Sequence, residues 1–311
     1  MKKIAYMFPG QGSQVVGMGE DFYKTEEIKE LYNQANNALG KDIKTLMFEG
    51  PTEELTETEN AQPALLLSSV VVYKLLEQAG VKPAMTVGHS LGEYSALVAA
   101  NSIKLDEALP LVATRGKLME KAFPKGQGTM AAVIGLNQEQ IEEELAKITE
   151  EIVDLANINS PGQIVISGSK KGIDQAETLL KDAGARRILP LNVSGPFHSR
   201  LMKEANEEFA ASLNEVDVND AEIPVYANVT AEPVKDRDEI KDLLIKQLYS
   251  PVRFEESIQN MLYSGVDAFV EVGTGRVLSG LVKKIDRKAK IFSVQDEKSL
   301  EEFLTWYHEK E

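Results

Sequence analysis

Gly88-His89-Ser90-Leu91-Gly92 follows a short apolar run, Met85-Thr86-Val87, and leads into a helix-forming stretch from Glu93 to Ala100. A Gly-x-Ser-x-Gly pentapeptide between a strand and a helix is the pattern of a nucleophile elbow. The flanking positions are glycine because no side chain fits so close a turn. The turn lifts the serine hydroxyl out of the sheet and aims the next N–H at the reacting oxygen. Around this stretch, strands and helices alternate. Ile4 to Phe8 is an apolar run stopped by Pro9-Gly10, consistent with a buried strand. Residues 26–39 place Ile28, Leu31, Tyr32, Ala35 and Leu39 at helical spacing. Pro63 sits near the start of a second helix, Ala64 to Gln78, which is apolar nearly all round and so interior. Further on, the pattern predicts a helix over 199–214, a strand at Val225-Tyr226-Ala227, and helices near 237–249 and 254–263. A strand from Asp267 to Val272, a helix, a strand at Ile291-Phe292-Ser293 and a terminal helix complete the chain. Such alternation implies an α/β fold with a mainly parallel sheet.

From Gly128 the rhythm changes. Strand, helix, strand, turn, strand, helix and strand follow one another from Thr129 to Leu191, the β-α-β-β-α-β order of a ferredoxin-like unit. The expected architecture is a hydrolase-like large subdomain over 1–126 and 193–311, carrying an inserted ferredoxin-like subdomain at 127–192.

With 311 residues, 43% of them hydrophobic, the chain can bury a substantial core. Its 34 Lys and Arg against 49 Asp and Glu give a net charge of -15, a field that argues against non-specific nucleic-acid binding. The absence of cysteine removes disulfides, thiolate metal sites and a cysteine nucleophile. No segment approaches the ~20 apolar residues of a membrane span. The apolar run at Ile4–Phe8 is too short for a signal peptide. These features point to a soluble, cytoplasmic protein.

A serine nucleophile needs a base, and the chain has three histidines. His308 lies in a charged terminal helix, and His89 is a neighbour of Ser90 on the elbow, where adjacent side chains diverge. By elimination His198, after the rigid turn Ser194-Gly195-Pro196-Phe197, is the candidate general base. The loop Gly10-Gln11-Gly12-Ser13-Gln14 invites a dinucleotide reading, but Val15 stands where that fingerprint needs a third small residue. Such a loop can instead present a backbone N–H to an oxyanion. Arg115 lies in an apolar helical stretch; either an internal carboxylate pairs with it or one arrives with a substrate, and the sequence favours the internal pair.

Taken together, the motifs resemble the malonyl-CoA:acyl carrier protein transacylases of bacterial fatty acid synthesis. The matching stretches are Phe8–Gln14, Gly88–Tyr94, Thr114–Gly116, Ala156–Gln163, Gly195–Ser199, Gln247–Phe254 and Glu271–Gly273, in family order and spanning nearly the whole chain. Gly273-Thr274-Gly275 departs from the Gly-Pro-Gly of many members. The resemblance implies that Ser90 attacks the malonyl thioester, with His198 as base and the N–H groups of Gln11 and Leu91 as oxyanion hole. It also implies that Arg115 pairs with the malonyl carboxylate, that a carbonyl near Gln247 orients His198, and that Phe197 belongs to malonyl-selective members. No cofactor or metal is implied; malonyl-CoA and the phosphopantetheine of holo-acyl carrier protein are substrates, and the protein is expected to be a monomer.

Two other readings stand beside this one: a serine esterase or thioesterase, for which Asp154 or Asp174 could supply an acidic third member, and an inactive acyl-binding scaffold. Both partners implied by the resemblance are anionic, so the basic minority matters. Arg276, Lys283, Lys284, Arg287, Lys288 and Lys290 face only Asp286 within 276–290, and Arg186-Arg187 add a second basic spot. These form the expected docking patch.

Overall fold

In the computed structural model, which describes residues 1–309, the apolar run at Ile4–Phe8 is buried at every position, as a strand covered on both faces requires. The strands in chain order are β1 (Ile4–Phe8), β2 (Met85–Gly88), β3 (Gly128–Ile134), β4 (Val153–Ser160), β5 (Gln163–Ser169), β6 (Arg187–Pro190), β7 (Val225–Tyr226), β8 (Pro233–Val234), β9 (Ala268–Val272) and β10 (Ile291–Val294). The large sheet has the order β10-β9-β1-β2-β7-β8, parallel except for β8, which turns back on β7. This is the mainly parallel α/β sheet expected from the alternating pattern.

Register places the chemistry. Phe8 pairs with Gly88, so β1 and β2 end level and the loops that follow leave the sheet side by side. The turn after β2 is as tight as its glycines suggest. A Cβ on Gly88 would lie 1.8 Å from the Gly92 carbonyl carbon, and one on Gly92 would lie 2.0 Å from the Phe8 carbonyl oxygen. Gly10 meets the same turn from the other side, with an added Cβ only 2.3 Å from the His89 carbonyl oxygen.

The second sheet has the order β4-β5-β3-β6, antiparallel throughout, with the helices Gln138–Leu145 and Lys170–Asp182 connecting its strands. Ala131, Val133, Ile141, Ile164, Ile166 and Leu180 give it a core of its own. It is tied to the large sheet's side by a short backbone bridge: Ile158 N–H donates to the Val252 carbonyl at 2.9 Å, and Val252 N–H to that of Ala156 at 2.8 Å.

Several element boundaries differ from the pattern. The interior helix begins at Thr58, so Pro63 lies inside it. Pro63 cannot donate to the Glu59 carbonyl, yet the extra turn is held by packing. At Gly116, in the helix Leu105–Lys121, an added Cβ would lie 2.7 Å from the Thr58 carbonyl oxygen, so the two helices touch backbone to backbone. Short helices at Ile43–Glu49 and Thr52–Thr56 and the two-residue β8 are too brief to leave a periodicity. The predicted helix over 199–214 begins as a 3-10 turn, Arg200–Ala205, before the α-helix Asn206–Asn214. No helix among the described residues is long and apolar enough to cross a membrane.

The elbow contacts give the first prediction. Gly92→Ala, with no space for its methyl group, should lower unfolding free energy by about 3 kcal/mol or more, read by urea denaturation. Gly280→Ala, on the open side of a helix, should raise it by roughly 0.5–1 kcal/mol. Equal shifts in the two variants would show that the elbow is not tightly packed.

Candidate active site

The elbow holds Ser90 at φ 53°, a left-handed conformation that costs a non-glycine residue energy and is sustained by its surroundings. Asn228, just after β7, supplies much of that support. Its Oδ1 accepts from the Ser90 N–H at 2.8 Å, and its Nδ2 donates to the Gly88 carbonyl at 2.6 Å. His198, also left-handed at φ 60°, lies 2.8 Å through Nε2 from Ser90 Oγ. Its Nδ1 donates to the backbone carbonyl of Gln247 at 2.9 Å, which leaves Nε2 as the acceptor facing the serine. Burial first, and the Arg115 charge second, push the His198 pKa from 6.5 down to about 3. The imidazole is therefore neutral and competent as a base.

Arg115 comes from the helix Leu105–Lys121 and is fully buried. Its Nη1 donates to Gln62 Oε1 at 2.9 Å; its Nη2 donates to Gln247 Oε1 at 2.9 Å and to Ser90 Oγ at 3.1 Å. The internal carboxylate favoured by the sequence is not its direct partner, since no Asp or Glu among the described residues comes within salt-bridge distance. Two neutral amides occupy those places instead. The nearest carboxylate, Glu93, is reached only through Gln247. A cation is thus held dry beside the nucleophile with its Nε–H unpartnered. The Tyr94 ring lies 5.4 Å from the guanidinium carbon, and burial lowers the Arg115 pKa.

A cavity of about 790 Å³ opens onto Ser90 and His198. Gln11 and Phe197 line it from the large-sheet side, Met130 and Asn157 from the small sheet. Leu91 precedes the helix Gly92–Ala99, and among the described residues neither its N–H nor that of Gln11 donates to a protein acceptor. Serine, neutral imidazole, open N–H groups and a waiting cation can together acylate and deacylate a hydroxyl with an acid-bearing acyl group.

The acyl transferase domain family matches residues 5–298. The chain belongs to that family. The malonyl CoA-acyl carrier protein transacylase of Bacillus subtilis is 49% identical over 304 residues, covering 97% of this chain and 96% of that protein. The crystal structure of an acyl carrier protein S-malonyltransferase from Vibrio cholerae superposes with a TM-score of 0.95 at 45% identity, covering 97% of this chain and 99% of that one. A malonyl-transacylase in complex with its type II PKS acyl-carrier protein has a TM-score of 0.94 at 40% identity, covering 97% and 99%.

In this acyl transferase the other sequence candidates are placed elsewhere. Half-buried His89 turns from Ser90 Oγ to Asn159, its Nε2 2.8 Å from Oδ1. His308 ends the terminal helix, its ring against Tyr307. Asp154 is paired with Arg200 at 2.9 Å, and Asp174 is exposed, so neither stands behind His198. Among the described residues no three His, Asp or Glu gather where they could hold a metal ion. One residue of the first basic spot, Lys284, reaches the small sheet that carries the second. Lys284 Nζ donates to Gln163 Oε1 at 2.9 Å, Gln163 pairs with Ile134, and Ile134 pairs with Arg187. Arg186 folds over Gly135 at the same end of the sheet.

Sequence reasoning missed Gln62, Glu93, Asn159 and Asn228 as parts of the site. Gln62 fell just outside the predicted interior helix, which in fact begins at Thr58; Glu93 was visible only as part of the elbow stretch. Burial pushes the Glu93 carboxyl up to about 7 against the pull of Asn228, Gln247 and Arg115.

The depressed His198 pKa fixes the sign of a pH effect. The base is lost only as pH falls toward its folded pKa, so the single-turnover acylation rate should hold as pH drops from 8 to about 5. Protonating Glu93 in that window removes an anion near Arg115, which favours an incoming carboxylate rather than opposing it. An acid limb near 6.5 would show that His198 titrates as an ordinary histidine.

Proposed function

We propose that this acyl transferase moves the malonyl group of malonyl-CoA to the phosphopantetheine thiol of holo-acyl carrier protein, supplying extender units for fatty acid synthesis. The observation that carries the reading is Arg115, a buried guanidinium held by neutral amides, with its Nε–H unpartnered and its Nη2 3.1 Å from the nucleophile. A carboxylate at the far end of the acyl group would complete it, and Arg presents such a group with a two-pronged fork. The names of the relatives agree.

In the first half-reaction Ser90 Oγ attacks the thioester carbonyl while His198 Nε2 takes the hydroxyl proton. The N–H groups of Gln11 and Leu91 receive the oxyanion, and collapse breaks the C–S bond, with His198 returning the proton to the CoA thiolate. In the second, the pantetheine thiol gives its proton to His198 and attacks the malonyl-serine ester, and Ser90 leaves as the restored hydroxyl. The reaction is therefore ping-pong. Gln247 orients His198 through its carbonyl and Arg115 through its side chain; Phe197 walls the acyl pocket. An acetyl group would leave Arg115 buried and unpaired, a penalty that separates the two substrates. The reaction needs no bound cofactor.

The division of labour follows the expected subdomains: 1–126 with 193–311 carry the nucleophile, base and Arg115, and 127–192 closes the cleft. The protein works as a cytoplasmic monomer. Acyl carrier protein docks on the stripe formed by Arg186, Arg187, Lys284 and its neighbours Arg276, Lys283, Arg287, Lys288 and Lys290. The esterase reading has less support, because His198 meets a main-chain carbonyl rather than a carboxylate.

Intact-mass analysis after mixing with malonyl-CoA should show one malonyl adduct that discharges to holo-acyl carrier protein. Ser90→Ala should show none, and Arg115→Ala should lose on the order of 10²-fold or more in the malonyl/acetyl ratio of kcat/KM. An adduct that discharges only to water would make the protein an esterase, and no adduct would make it a scaffold. Charge reversal at Lys283, Lys284 and Lys288 should raise KM for acyl carrier protein about tenfold at low salt and leave that for malonyl-CoA unchanged. An unchanged KM for the carrier would remove the stripe from the docking surface.

A further inference from the structure

Glu93 lies in the first turn of the helix Gly92–Ala99 and is 3% exposed. Its Oε2 accepts from Gln247 Nε2 at 2.7 Å and from the Asn228 N–H at 3.3 Å. No cationic side chain among the described residues forms a salt bridge with it. The amide it binds is a junction. Gln247 Nε2 also faces the Ser90 carbonyl at 3.0 Å and Asn228 Oδ1 at 3.1 Å, while Gln247 Oε1 accepts from Arg115.

The two ends of an amide are nearly equal in size and opposite in hydrogen-bonding sense. Turned over, Gln247 would set its NH2 against the guanidinium and its oxygen against three acceptors. The carboxylate is the strongest of those acceptors, so it does most to forbid the turn.

We propose that Glu93 is a positioning residue: by holding the amide nitrogen of Gln247, it keeps the amide oxygen on Arg115 and the guanidinium aimed beside Ser90. Malonyl over acetyl preference thus depends on a side chain that touches no substrate. The inference rests on the malonyl-transfer reading. It predicts that substitutions at Glu93 act on substrate choice through Arg115 rather than on the Ser90–His198 pair.

The test uses the full-length protein with malonyl-CoA, acetyl-CoA and holo-acyl carrier protein. Glu93→Ala should lower the malonyl/acetyl ratio of kcat/KM by about tenfold or more, chiefly through KM for malonyl-CoA. Glu93→Gln should stay within about threefold of the parent ratio, since its amide oxygen can replace Oε2 and accept both bonds. Should Glu93→Ala not fold, Glu93→Asp, which draws the carboxylate back by one methylene, should give an intermediate drop. An unchanged ratio in Glu93→Ala or Glu93→Asp, or an equal fall for both substrates, overturns the inference. A loss in Glu93→Gln as large as in Glu93→Ala overturns it too, because an acceptor held at that place would then not be what preserves the preference. A parent protein that transfers no malonyl group fails earlier, at the reading of function itself.

Discussion

Three backbone segments meet at the elbow more closely than any side chain allows. Gly92 lies against the Phe8 carbonyl, Gly88 against Gly92, and Gly10 against the His89 carbonyl. Because β1 and β2 end level, this crowding joins the central strand, the nucleophile turn and the Gln11 loop into one rigid body. Ser90 cannot relax from its left-handed conformation without moving all three. The loop that carries Gln11 and the turn that carries Leu91 are consequently held against one another by the fold.

Around that body, dehydration does the electrostatic work. A buried imidazole next to a buried guanidinium has every reason to stay neutral, and the main-chain carbonyl of Gln247 fixes its tautomer without adding a charge. An acidic residue in that place would draw the imidazole toward the cationic form. The guanidinium meanwhile keeps its charge among amide oxygens, which solvate it without neutralising it. The site therefore holds a positive charge beside the nucleophile with no carboxylate in direct contact with it. Burying a charge in this way costs stability.

Most of the architecture was legible because it is periodic or punctuated. The elbow glycines, the all-apolar Ile4–Phe8 run and the β-α-β-β-α-β rhythm each leave a regular mark. Ser90, His198 and Arg115 were legible as chemistry, and the structure sets His198 and Arg115 each within hydrogen-bonding range of Ser90 Oγ. What failed was pairing. The carboxylate assigned to Arg115 proved to be Gln62 and Gln247, separated from it by 53 and 132 residues, and such contacts leave no local spacing to read. Asn228 was invisible for the same reason: a lone asparagine after a two-residue strand has no pattern until the sheet brings it to Gly88. The start of the interior helix was misjudged because the close approach of Gly116 overrides the local preference of Pro63.

The bridge between the two sheets has a mechanical side. Val252, which exchanges backbone hydrogen bonds with Ala156 and Ile158, lies only five residues beyond Gln247, whose carbonyl steers His198. One short run of chain is thus both the mooring of the small sheet and the rudder of the base. A second mooring, Asn159 to His89, reaches the residue beside the nucleophile. The small sheet and the proton acceptor thus hang on the same few residues, so a displacement of one strains the support of the other.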